Sequence, residues 1–223
     1  MYNWYQGRFM NSKDVKHKLN LFRRYPHWKS NNCIYIHIPK AAGTSLNKAI
    51  YGRTLGHYTA NEIQSLFPKL FGKAFVFSFV RNPWDRVLSA YRFAKVGKTN
   101  SMGMYRPEQY QIPQFDSFER FLFEWLAKQS MEKVDFVFQP QSKFIVGRDG
   151  HLLTDYIGKV ESMDADIKYV ESKLNKTINV GRENTTSDRS DYRDEYINDD
   201  MVELVRSLYS NDVKRFNYDF DKS

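Results

Sequence analysis

Three observations predict an α/β domain with a mainly parallel sheet. Residues 33–38 and 74–80 are short runs of β-branched and aromatic residues, the pattern of buried strands. Each run leads through a tight turn into helical residues. A third such run, 156–160, precedes a helical stretch, 163–174. Strands that alternate with helices favour parallel pairing, because a parallel connection needs a crossover.

The elements follow in chain order. Residues 1–30 read as a basic N-terminal arm with one short helix around 14–22, ahead of a single domain spanning 31–223. After the first strand, Pro39 and Gly43 bound a loop, and residues 46–50 continue as a short helix. The second strand ends at Arg81. Asn82 suits a helix N-cap and Pro83 the first helical position, so a helix is expected over 84–93. Residues 95–115, with Gly97, Gly103, Pro107 and Pro113, read as a long excursion of the kind that is functional or mobile. Helices are expected over 117–129, 139–145, 163–174 and 199–209, with a polar loop over 181–190.

Bulk properties narrow the function. The chain has 223 residues, long enough for one sizeable core, and 27% charged residues, which excludes a disordered composition. Aromatic content of 16% suits core packing or a platform for a planar or sugar-like ligand. The single cysteine, Cys33, permits no intrachain disulfide, and no Cys/His metal cluster is visible. No apolar run is long enough for a signal peptide or a membrane span, so a cytoplasmic protein is expected. The net charge of +8 is uneven: residues 1–53 hold ten Lys or Arg against one acid, Asp14. Such a segment attracts nucleic acid, a membrane surface or an acidic substrate, or is simply solvated surface.

Two constellations carry chemistry. The first is Lys40-Ala41-Ala42-Gly43-Thr44-Ser45, between a strand and a helix. A helix N-terminus offers unpaired N–H groups and the positive end of its dipole, which suits phosphate or sulfate. Lys40 adds an ammonium, Thr44 and Ser45 add hydroxyls, and Gly43 permits close approach. This is not a Walker loop, whose lysine directly precedes the hydroxyl residue, and no acidic ladder for Mg²⁺ is in view. The second is Arg81 at the end of strand two, with Arg86 and Ser89 on one face of the following helix. An arginine with a hydroxyl can hold a second phosphate. Equally, an Arg–Asp pair with Asp85 can staple the helix.

Together the segments Pro39-Lys40-x-x-Gly43-Thr44-Ser45 and Arg81-Asn82-Pro83-x-x-Arg86-x-x-Ser89-x-Tyr91 resemble the two donor-binding segments of the carbohydrate sulfotransferase superfamily. The likeness is to the chondroitin and heparan 2-O-type family, which has small bacterial members. Weaker likenesses lie at Gly158–Glu161, Asn184–Ser187 with Tyr192, Tyr209–Asp212 and Phe216–Tyr218. Ala41 and Ala42 depart from the family's Thr-Gly, as do Lys159, Val160 and Asn217 from its usual residues.

The resemblance implies a P-loop-NTPase-like three-layer domain. It implies transfer of a sulfuryl group from PAPS (3′-phosphoadenosine 5′-phosphosulfate), without a metal, to an acceptor hydroxyl, with PAP (3′-phosphoadenosine 5′-phosphate) left as product. Residues 40–45 would hold the 5′-phosphosulfate; Arg81 and Ser89 would hold the 3′-phosphate. Lys40 would stabilise charge on the bridging oxygen. His57 is the candidate base, with Glu62 in reserve, and His37 is expected to be structural. A glycan is the expected acceptor, contacted by the basic arm and by Tyr105, Arg106 and Tyr110. The competing readings are a nucleotide-dependent kinase and a nucleic-acid-binding protein. The missing Gly-Lys-Ser/Thr ending disfavours the first, and the lack of a reader motif disfavours the second.

Overall fold

The computed structural model describes residues 12–98, 103–104, 106–181 and 191–221, and the side chains from residue 15 onward. The core is a three-stranded parallel sheet in the order β1 (Cys33–Ile36), β2 (Phe75–Val80), β3 (Tyr156–Lys159). Cys33 pairs with Phe75 in the β1–β2 ladder, and Phe77 with Tyr156 in the β2–β3 ladder. All four residues of β1 and five of the six of β2 are buried. Both faces are therefore covered, which accounts for runs that are apolar throughout rather than alternating. Gly158 in β3 serves close packing: a Cβ there would lie 2.7 Å from the Phe79 ring.

Helices pack around this sheet. In chain order they are α1 (Ser12–Asn31), α2 (Gly43–Tyr51), α3 (Ala60–Leu66), α4 (Pro68–Phe71), α5 (Pro83–Val96), α6 (Phe118–Arg120), α7 (Ser142–Ile145), α8 (Met163–Leu174), α9 (Asp199–Leu208) and α10 (Ser210–Arg215). Among the described residues, no helix is long and apolar enough to cross a membrane.

Several expectations need correcting. The helix expected at 14–22 is the 20-residue α1. Its Leu21 and Trp28 are buried, and Trp28 meets Tyr58 and Phe67 edge-on. Only Leu21, Tyr25 and Trp28 mark the inner face. They are spread among basic residues and interrupted by Pro26, so the periodicity is faint and tertiary packing holds the helix. The amphipathic helix expected over 117–129 is α6 continued by a π turn, Phe121–Trp125, and a 3-10 turn, Leu126–Lys128. The excursion at 95–115 contains two 3-10 turns, Pro107–Tyr110 and Pro113–Phe115. Tyr110 and Phe115 are buried there in a cluster with Trp125 and Phe138, so Tyr110 is a core residue rather than a surface contact. Tyr105 and the segment 184–187 lie outside the described residues. Helices α3, α4 and α10 were not expected from the sequence.

The parallel sheet brings three carboxyl ends to one edge. That edge carries the loop after β1, Arg81 and Asn82 after β2, and Glu161 after β3. In open parallel α/β sheets the ligand crevice lies outside this edge.

Candidate active site

The loop after β1 has an unusual backbone. Lys40 (φ 65°) and Ala42 (φ 55°) are both left-handed, on either side of buried Ala41. Each such non-glycine position costs roughly 1–2 kcal/mol, so the surrounding structure must enforce it. Left-handed residues within such a turn aim successive N–H groups into one concavity. Ala42 is also the N-cap of α2, where it provides no side-chain cap, and the first turn of α2 contains no acid. The positive end of this helix thus has no anion of its own in that turn. Gly43 is required sterically: a Cβ there would lie 1.8 Å from His37 Cδ2. Thr44 and Ser45 occupy the first turn, and the Lys40 ammonium lies 4.4 Å from the centroid of the Phe93 ring on α5.

Arg81 reaches this loop. Its Nη1 donates to the Lys40 carbonyl at 3.2 Å, and its Nε donates to Asp85 Oδ2 at 2.7 Å. Nη2 completes the pair with Asp85. The staple through Asp85 is therefore real, and it leaves two of the five guanidinium N–H groups after these three contacts. Arg86 does not face a phosphate as its spacing with Ser89 suggested. It is buried, with Nε donating to Pro39 O at 2.9 Å and Nη2 to Val137 O at 3.2 Å. It clamps the loop backbone instead. Ser89 is half-buried on α5.

His57 packs against the end of the segment that leads into the loop. Its ring centroid is 4.0 Å from that of His37 and 5.0 Å from that of Phe136. His57 Nδ1 lies 2.9 Å from the His37 carbonyl oxygen. A carbonyl only accepts, so Nδ1 carries the proton and Nε2 keeps its lone pair. Burial lowers the pKa of His57; the bond to His37 and the nearby Asp135 oppose this, while Arg86 adds to it. His37 is buried on the loop glycine, and desolvation holds its pKa well below the ordinary imidazole value. Glu62, the reserve base, is otherwise engaged. It forms the capping box of α3 with Thr59, and its second oxygen lies 2.8 Å from His17 Nε2.

Residues remote in sequence hold these parts in place. Gln141 brackets the Arg81 backbone, accepting from its N–H at 2.9 Å and donating to its carbonyl at 2.8 Å. Gln141 is fixed in turn by Asp212, which is fully buried and accepts from the N–H groups of Gln141 (2.6 Å) and Ser142 (2.8 Å). Burial pushes the Asp212 carboxyl up, while these bonds and Arg86 pull it back. Tyr209, three residues earlier, donates to Phe138 O at 2.6 Å. Glu161 accepts from Asn82 N at 2.5 Å and from Tyr218 Oη at 3.0 Å. The weak motifs at 158–161, 209–212 and 216–218 are thus supports for the loop and Arg81. The roles of Gln141 and Phe136 had no local signal in the sequence, whereas His37 is buried and structural as its place on the strand suggested. Among the described residues, no group of three or more His, Cys, Asp or Glu side chains could hold a metal.

No curated protein and no solved structure matches the chain at a significant level. The profile of the sulfotransferase family matches residues 28–219, which takes in the loop, Arg81, both histidines and the closing helices. With most of its length inside that match, the chain belongs to the sulfotransferase family.

Proposed function

We propose that the protein moves a sulfuryl group from PAPS to a hydroxyl on a carbohydrate acceptor, in a crevice of P-loop-NTPase-like design. One observation carries this reading: the uncapped N-terminus of α2 behind the left-handed Lys40–Ala42 turn, with Lys40 and Arg81 at its mouth. The backbone of Ala41, Ala42 and Gly43, with Thr44, Ser45 and Lys40, would hold the 5′-phosphosulfate. The two remaining N–H groups of Arg81 and the Ser89 hydroxyl would hold the 3′-phosphate. A donor with two separate anionic groups suits this division, and a helix N-terminus suits the phosphosulfate, whose oxygens can accept several backbone N–H bonds.

PAPS supplies an activated sulfuryl group whose bond to the bridging phosphate oxygen breaks as the acceptor oxygen bonds to sulfur. Lys40 offsets the negative charge that gathers on the departing oxygen. His57 takes the acceptor's proton at Nε2, the nitrogen left basic by the Nδ1–H bond to His37. Phe136 is 45% exposed although its ring lies against His57, and it offers the sugar a flat apolar face beside the base.

The test is transfer from radiolabelled PAPS to a panel of glycans, for wild type and for Lys40→Ala. Removing the ammonium should lower kcat by ~10²–10³, with the melting temperature unchanged. Near-normal turnover by Lys40→Ala would overturn the assignment. Stabilisation by ATP with Mg²⁺, and none by PAP, would point to a kinase instead.

A further inference from the structure

The outer face of α1 takes no part in the site, yet it has a definite chemical pattern. Val15, Leu19 and Phe22 are 40%, 54% and 54% exposed, and Pro26 is exposed as well. Their spacing of four, three and four residues sets them on one stripe at about 100° per residue. The inward face, marked by Leu21 and Trp28, is directed elsewhere on the same wheel; Phe22, at the stripe's edge, also meets the Phe67 ring edge-on at 5.2 Å. Lys18 and Lys29 flank the stripe on one side, and Lys16 and Arg23 flank it on the other; all four are exposed. Asp14 is the only acid in the helix.

We propose that this face of α1 docks on an anionic lipid bilayer, with Val15, Leu19 and Phe22 inserted among the acyl chains and the flanking cations at the headgroups. Charge complementarity and the apolar stripe select this occupant together. A basic helix face alone would serve any polyanion, including an acidic glycan. Such partners offer no hydrocarbon to cover three apolar side chains, whereas a bilayer offers both. A second copy of the chain would bring two strongly basic faces together, so like-charge repulsion opposes it. Because α1 packs through His17, Tyr25 and Trp28 on the segment that carries His57, docking would set the catalytic edge at a fixed attitude to the membrane. The proposal does not depend on the identity of the sulfuryl donor.

The test is co-sedimentation of the full chain with phosphatidylcholine vesicles, with and without phosphatidylserine. Binding is expected only with phosphatidylserine and should weaken steeply with salt. The charge-neutral double variant Val15→Gln with Leu19→Gln should weaken binding at least ~tenfold, and Lys16→Gln with Arg23→Gln should do likewise. These positions are exposed, so both variants should keep the wild-type melting temperature. A polarity-sensitive fluorophore on Leu19→Cys adds a direct readout. The native Cys33 is buried and its thiol is pushed up to about 11, so labelling is confined to the new site. The fluorophore should shift to the blue on vesicle binding. Absence of sedimentation with phosphatidylserine would overturn the proposal. So would binding that survives the glutamine pair with no fluorophore shift, which would mark a plain polyanion surface. So would a vesicle-free dimer abolished by Leu19→Gln.

Discussion

At the scale of single residues, the histidine pair sets the most specific expectation. His57 is held neutral by burial and has its tautomer fixed by the His37 carbonyl. The acid limb of its rate profile should therefore lie below the ordinary imidazole value of ~6.5. His57→Gln should remove that limb and lower kcat by ~10²–10⁴, leaving PAP affinity unchanged. An unaltered profile would take the base role from His57. The same burial makes stability depend on pH. Below pH ~6.5 the unfolded chain protonates both histidines while the folded pair resists. The unfolded state then binds more protons, so stability falls as the pH drops through that range; His37→Asn should flatten this fall in urea melts.

At the scale of elements, the β1–loop–α2 unit was legible because everything it needs is local. A buried run, a proline, a lysine and a glycine lie within eleven residues, and strand-loop-helix geometry turns that order into an anion cradle. The purpose of Gly43 was read only in part. It serves close approach, and one group that approaches is the His37 ring. Gly43→Ala should therefore force the ring or the loop to move, costing ~1–3 kcal/mol of stability and most of the donor affinity. Pairing it with His37→Ala, which removes the obstructing ring, should recover a substantial part of both. No recovery in a thermal-shift assay with PAP would show that the glycine is needed for another reason. Helix α1 shows the opposite case: its sparse inner face and Pro26 hid the full 20-residue length of a helix expected only around 14–22.

At the scale of the whole molecule, the crevice is assembled from distant pieces of chain. Gln141 lies 60 residues from the Arg81 it brackets, and Asp212 lies 71 residues from Gln141. No local pattern encodes such bonds, which is why the second segment read equally well as a phosphate site and as a helix staple. The fold makes the Asp85 staple with only part of the guanidinium, so the two readings are compatible. Asp212→Ala would leave two buried N–H groups unpaired at ~1–3 kcal/mol each. It should therefore lower both the melting temperature and PAP affinity, although Asp212 itself is fully buried. Wild-type PAP affinity in that variant would break the proposed chain from Asp212 through Gln141 to Arg81. The most direct check on PAPS as donor is a calorimetric titration of the wild-type chain with PAP and with adenosine 5′-monophosphate, which lacks the 3′-phosphate. PAP should bind at least ~tenfold more tightly, the value of one charged hydrogen-bonded contact, and Arg81→Ala should erase the difference. Equal affinities in the wild type, or no binding of PAP at all, would contradict a PAPS-dependent sulfotransferase.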